Sequence, residues 1–324
     1  MIWRVALFLA ALLLTLFLGI GLPKSWLELL FVNTGYYFIL IAFFSWLALL
    51  LKIYSRVFPV FIKRHYPALI LSILLMAMIF YMMPPKFKVL ADETNLVGVS
   101  MAMHHDKTAS VPLQGLALDY SDFDYTTKIG KRPLLFPFAI SITHALIGYS
   151  PYNGFVLNFI LGIGILFFMY IAISSFFSRF YGIIAILLTA TFPIFTIWIT
   201  SSGFESLNLF FILFVFLVTY KFLQVKDVNH AELLFISIIL LSFCRYESII
   251  FFLFLIILAP YLFTKKLIHS YRFFVYGFPL LLLPLIWQRR IVFYQAIIRD
   301  GKQYHLAKDF FGLPNFINHF SDNI

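Results

Sequence analysis

Gly154 to Phe177 read GFVLNFILGIGILFFMYIAISSFF, 24 residues without one charged side chain. An α-helix needs about 20 apolar residues to cover roughly 30 Å of hydrocarbon, so this stretch predicts a helix that spans a bilayer. The chain around it has the same character. Hydrophobic residues make up 62% and charged residues 12%, with a mean hydropathy of +0.96. Soluble domains carry about 45–50% apolar and about 25% charged residues, so a soluble core could not hide this excess. The reading is an all-α, polytopic transmembrane helical bundle, with spans near 2–22, 36–54, 67–83, 134–149, 154–177, 181–199, 206–222, 231–244, 248–263 and 273–288.

The first apolar run, after Met1-Ile2-Trp3-Arg4, is too long for a signal-peptide core and lacks a small-x-small cleavage site, so it reads as a retained helix. The net charge of +10 lies in short links such as Lys63-Arg64 and Lys265-Lys266. Cationic links mark the cytoplasmic side, whereas nucleic-acid binding would need one exposed basic face, and none is found. Cys244 is the single cysteine, which excludes an intramolecular disulfide.

Three long polar stretches divide the chain: 52–66, 84–132 and 289–324. With 52–66 cytoplasmic, the N-terminus is cytoplasmic and 84–132 is external. Arg179, Lys221, Lys226, Lys265 and Lys266 then fall inside if 134–177 makes one net crossing. A half-membrane helix at 134–149, broken at Gly148-Tyr149-Ser150-Pro151, would do this.

Candidate chemistry collects at a few positions. Asp92-Glu93 follow a helix end on the external side; they read either as a helix cap or as a base with a divalent-cation ligand. Lys131-Arg132-Pro133 mark the re-entry, either as a phosphate site or as an interfacial anchor. Glu205 is either a helix-end acid or a site residue opposite Asp92. Arg245-Tyr246-Glu247 interrupt an apolar run, as a functional pair, a self-neutralising one or a helix–helix turn. His104-His105-Asp106 lack the i, i+4 spacing of a helical metal site. Asp119, Asp122 and Asp124, with Tyr120 and Tyr125, read as a flexible acidic surface loop. No phosphate-binding loop, dinucleotide fingerprint or nucleophile elbow occurs.

The order of these motifs resembles the GT-C superfamily of polytopic glycosyltransferases, in the branch of aminoarabinose transferases and protein O-mannosyltransferase-like proteins. The resemblance rests on Asp92-Glu93-Thr94, Lys131-Arg132-Pro133-Leu134, Leu146-Ile147-Gly148-Tyr149-Ser150, Ser202-Gly203-Phe204-Glu205 and Arg245-Tyr246-Glu247, and covers about residues 67–290. It implies an inverting transfer of a sugar from a polyprenyl-phosphate donor to an external glycan, lipid or protein acceptor, in a bacterial plasma membrane. Asp92 would be the catalytic base or an acceptor-orienting acid, and Glu93 and Glu205 would assist acceptor or metal. Arg132 and Lys131 would hold the lipid phosphate, with Arg245 and Glu247 supporting the site. A divalent metal, if any, would fall to Asp92, Glu93 and Glu205.

Three parts follow from the same reading: an N-terminal helical hairpin and loop (1–66), the GT-C-like core (67–290) with its external loop 84–132, and a polar C-terminal segment (291–324). Relatives continue with further helices, so the chain reads as C-terminally shortened. A transporter or flippase for a lipid-linked glycan and a non-catalytic membrane subunit are the competing readings; the first would need charges near the midplane and paired halves.

Overall fold

A computed structural model describes residues 2–117, 123–262 and 273–300. Helix α1 (Ile2–Leu16) runs into a π-helical turn at Phe17–Gly21 and is followed by α2 (Lys24–Tyr54), α3 (Phe58–Met82) and α4 (Leu90–His105). A hairpin of β1 (Val111–Ala117) and β2 (Phe123–Lys128) precedes α5 (Leu135–Ile147), α6 (Asn153–Phe176), α7 (Arg179–Thr191), α8 (Pro193–Ile199) and α9 (Glu205–Val225). Next come α10 (Val228–Ser242), a 3-10 turn at Tyr246–Phe251, α11 (Phe252–Ile257) and α12 (Ala259–Leu262), then α13 (Phe273–Leu281) and α14 (Leu283–Asp300).

Among the described residues, four helices (α2, α3, α6 and α9) are long and apolar enough to cross a membrane, and α7 with α8 make a fifth if that bent pair is one span. The chain is a multi-pass helical membrane protein. The pair bends by 69°, at Phe192-Pro193. Proline there lacks the N–H that would continue the ladder. Helix α10 forms the centre: Leu233, Leu234, Ile236, Ile238, Ile239, Leu240 and Leu241 are all fully buried.

Side-chain ties sort the helix ends. At one end, Lys52 donates to Asn229 (2.8 Å), His65 meets Tyr170 (3.4 Å), and the rings of Phe176 and Tyr220 pack at 4.9 Å. The other end carries α4, the hairpin and α5, and is called the loop end here. There Lys86 N–H donates to Thr200 O (3.2 Å), Leu135 N–H to Phe243 O (3.1 Å) and Trp287 Nε1 to Leu18 O (2.9 Å).

Several elements differ from the sequence reading: α3 begins at Phe58 rather than near 67, so Lys63 and Arg64 lie in its second turn, and the span read at 248–263 is a 3-10 turn followed by two short helices. Helix α2 begins at Lys24 rather than near 36. Its first turns mix apolar and polar residues: Leu27 and Phe31 are buried, Lys24 and Glu28 pair at 3.6 Å, and Asn33 and Thr34 donate back to Leu29 O and Leu30 O. At about 1.5 Å per residue its 31 residues exceed the bilayer core, so the extra turns project at the loop end. The polar stretch 84–132 holds α4 and the hairpin. Leu96, Val99, Ala102 and Met103 are buried on α4, an apolar face that the acids of its first turn obscure. The last helix continues to Asp300, beyond the boundary drawn at 290.

Helix α5 does not traverse the bundle. It starts on Phe243 and ends beside Asn153, both at the loop end, so residues 134–177 traverse once, through α6. The turn after it needs Gly148, whose φ of 89° lies where side chains are strained. Asp124 pairs with Leu116 across the hairpin, so part of the acidic stretch is strand; Asp119, Tyr120 and Asp122 lie outside the described residues, as do Lys265 and Lys266.

Candidate functional site

The acids and cations singled out in the sequence converge at the loop end. Successive helical residues point about 100° apart, so Asp92 and Glu93 in the first turn of α4 face different ways. Asp92 turns outward, with about two-fifths of its side chain exposed, and binds the Arg132 guanidinium through Oδ2. That hydrogen bond raises the Arg132 pKa above its ordinary value. Burial opposes it, and the charges of Asp92, Glu205 and Glu247 add to it.

Glu93 turns inward and is buried. Its Oε1 accepts the N–H groups of Lys88 and Val89, both at 2.9 Å, and its Oε2 accepts Ser202 N–H at 2.8 Å. The carboxylate therefore caps α4 and fastens the loop between α8 and α9 to it. Asn158 of α6 holds the same loop, donating to Ser201 O (2.7 Å) and Gly203 O (3.1 Å). This loop sets Phe204 and Glu205. The Arg132 and Arg245 guanidiniums each lie 5.6 Å from the Phe204 ring centre, in cation–π contact. Glu205 folds over Gly203, where a Cβ would collide with its Oε2.

The turn after α10 supplies Arg245, whose Nε lies 3.4 Å from Glu247 Oε2, and Tyr246, whose hydroxyl donates to Lys131 O at 3.1 Å. Arg289 of α14 stacks on Tyr246 at 4.7 Å. Lys86 and Lys88 flank the start of α4; burial lowers the Lys88 pKa, Lys86 adds to the effect and Glu93 opposes it.

Arg132, Arg245 and Glu247 thus meet Asp92 and Glu205 around two aromatic rings, Lys131 is placed beside them by its backbone carbonyl, and Glu93 stands behind. Sequence reading missed Phe204 as the platform, Ser202 and Asn158 as its supports, and Gln288 and Arg289. Only an interrupted apolar run at 288–290 could have pointed to the last two. Among the described residues no three His, Cys, Asp or Glu side chains gather as metal ligands. Asp92, Glu93 and Glu205 do not fit a cation as they stand, because both Glu93 oxygens hold N–H groups and Asp92 holds Arg132.

The histidines form a separate group. Asn153 Nδ2 donates to Gly148 O (2.7 Å) and to His144 Nδ1 (2.8 Å), which leaves the proton on Nε2, facing Ser100 Oγ at 3.1 Å. Burial, then His104 and His105, push His144 down to about 4. The ring of His104 lies 5.6 Å from that of His144, while His105 and Asp106 face outward. This is a neutral cross-tie between α4, α5 and α6.

Comparisons with protein-family models, curated proteins and solved structures find no match.

Proposed function

We propose that the chain is a GT-C-like membrane glycosyltransferase, moving a sugar from a polyprenyl-phosphate donor to an acceptor at the loop end. The observation that carries this reading is the half-exposed Asp92 carboxylate bound to Arg132 where the spans end, with Arg245 on the same Phe204 ring and Arg289 on Tyr246 beside it. A membrane-anchored phosphate leaving group needs cations at the interface, and an acceptor hydroxyl needs a base beside them.

In the reaction the acceptor oxygen attacks the anomeric carbon from the face opposite the phosphate. The carbon–oxygen bond to phosphate breaks, and its electron pair stays on the phosphate oxygen. The hydroxyl proton goes to Asp92, and the anomeric centre inverts. Arg132, with Lys131, neutralises the departing phosphate, and Glu205 orients the acceptor. A divalent cation at these carboxylates would compete with the N–H groups that Glu93 holds and with Arg132 on Asp92.

We place the loop end outside a bacterial plasma membrane. The links and helix ends at the opposite end carry Lys52, Arg56, Lys63, Arg64, Arg179, Lys221 and Lys226 against the acids Asp227 and Glu232, which supports a cytoplasmic location for them and for the N-terminus. Loop-end cations instead sit among Asp92, Glu205 and Glu247.

The test is release of free polyprenyl phosphate from a labelled polyprenyl-phosphate sugar by purified protein, with a membrane extract as acceptor source. Wild type releases it and Asp92→Asn does not. Chemically unchanged donor moved across sealed vesicles would point to a transporter instead. A phenotype retained in an Asp92→Asn, Glu205→Gln double variant would point to a non-catalytic subunit.

A further inference from the structure

Three consecutive backbone carbonyls, those of Gly130, Lys131 and Arg132, are each captured by a side chain from another element. Gln288 Nε2 donates to Gly130 O at 2.8 Å and to Arg132 O at 2.7 Å, and Tyr246 Oη donates to Lys131 O at 3.1 Å between them. An amide nitrogen has two hydrogens, and here both are used.

Gln288 is 1% exposed on α14, where the apolar run Leu283–Trp287 gives way to Arg289 and Arg290. A buried amide there costs stability unless its donors are met, so its presence needs this pair of acceptors. Its neighbours do the same for a second segment. Trp287 Nε1 donates to Leu18 O at 2.9 Å, and Arg290 Nη1 to Gly19 O at 2.6 Å. One turn of α14 therefore ties the end of α1 to the segment that carries Arg132.

Arg132 needs this support. Its guanidinium must meet Asp92 and the face of Phe204 at once, yet its segment is a bend between β2 and α5 with no helix of its own. A catalytic group misplaced by about 1 Å loses much of its effect.

We propose that Gln288, assisted by Tyr246, is a positioning residue that sets Arg132 for the reaction, so that the site is incomplete without α14. The proposal rests on the transferase reading for its activity arm alone.

Two measurements test it, on the full chain in detergent. In hydrogen exchange, Gln288→Met should speed exchange about tenfold in a peptide covering 129–136, with α6 and α9 unchanged. Tyr246→Phe, which removes one hydroxyl, should show a smaller rise in the same peptide and serves if the first variant does not fold. In transfer assays Gln288→Met should lower kcat/KM about tenfold, with the same division between kcat and KM as Arg132→Ala. In an Arg132→Ala background it should change nothing further.

Unchanged exchange at 129–136 in both variants overturns the proposal, as do losses that multiply in the double variant. Faster exchange at 129–136 with a wild type that transfers no sugar would keep the clamp and refute the transferase reading.

Discussion

Glu93→Ala removes a carboxylate that accepts three backbone N–H groups. Two of these, from Lys88 and Val89, begin α4, and losing a cap of this kind costs about 1 kcal/mol. The third, from Ser202, is different, because Ser202 is fully buried and water cannot replace the lost oxygen. Stranding such a donor costs about 1–3 kcal/mol. The sum is about 3 kcal/mol, which at about 2 °C per kcal/mol lowers the thermal midpoint by about 6 °C.

Glu93→Gln separates the two parts. Its amide oxygen still accepts Lys88 and Val89, while its NH₂ faces Ser202 N–H, donor against donor. That variant should keep the start of α4 protected from hydrogen exchange and expose 200–204; the alanine variant should expose both. A thermal midpoint within 1 °C of wild type, with unchanged exchange at 200–204, would refute the reasoning and free Glu93 for acceptor or metal.

Other outcomes follow from single contacts. Asp92→Asn should lower transfer by about 10²–10⁴-fold, the usual worth of a general base. It should move the thermal midpoint little, since a half-exposed ion pair contributes under about 1 kcal/mol. Gly203→Ala puts a methyl where Glu205 Oε2 lies. The carboxylate can swing aside at little cost in stability, so this variant should reproduce the activity loss of Glu205→Gln while its melting curve stays close to wild type. His144 is neutral in the fold and pushed down to about 4, whereas the unfolded chain takes up this proton below about 6.5. Its contribution is therefore intact above pH 6.5 and is lost as pH falls from there towards 4, by about 3 kcal/mol at most. Thermal midpoints should fall across that window in wild type and much less in His144→Gln, whose amide can keep both hydrogen bonds.

Much of this arrangement was legible because ionisable residues are rare in an apolar chain. Asp92, Arg132, Glu205, Arg245 and Glu247 each interrupt or bound an apolar run, so their positions mark where the chain meets one face. What such interruptions do not carry is direction. Asp92 and Glu93 look alike in sequence, yet one faces Arg132 and the other faces Ser202, and the apolar stripe that decides this begins only at Leu96. Polar residues scattered through its first turns also hid the start of α2, because hydropathy does not register that Asn33 and Thr34 bond their own helix. Gln288 escaped notice for a related reason. The polar run Gln288-Arg289-Arg290 marks the end of an apolar stretch, but which carbonyls the amide holds is seen only with Gly130 and Arg132 beside it.

The adjacency of the two acids has a physical logic. On the proposed transferase reading, the base has to stay partly in water, where its ion pair with Arg132 remains weak and exchangeable. A residue that holds the loop carrying Phe204 and Glu205 has to be buried, where its hydrogen bonds gain strength from the low dielectric. Consecutive positions on one helical turn satisfy both demands, because the turn itself points one side chain out and the next in. The start of α4 thus fixes Asp92 relative to Phe204 through its own neighbour, at 2.8 Å from Glu93 to Ser202 N–H. Phe204 in turn carries the Arg132 guanidinium that Asp92 binds, which closes a ring of contacts through α4, the 200–205 loop and the 130–132 bend. Loosening any one member displaces the other two. Glu93→Gln should therefore impair transfer through Arg132 and Glu205 while leaving the Asp92 carboxylate chemically intact.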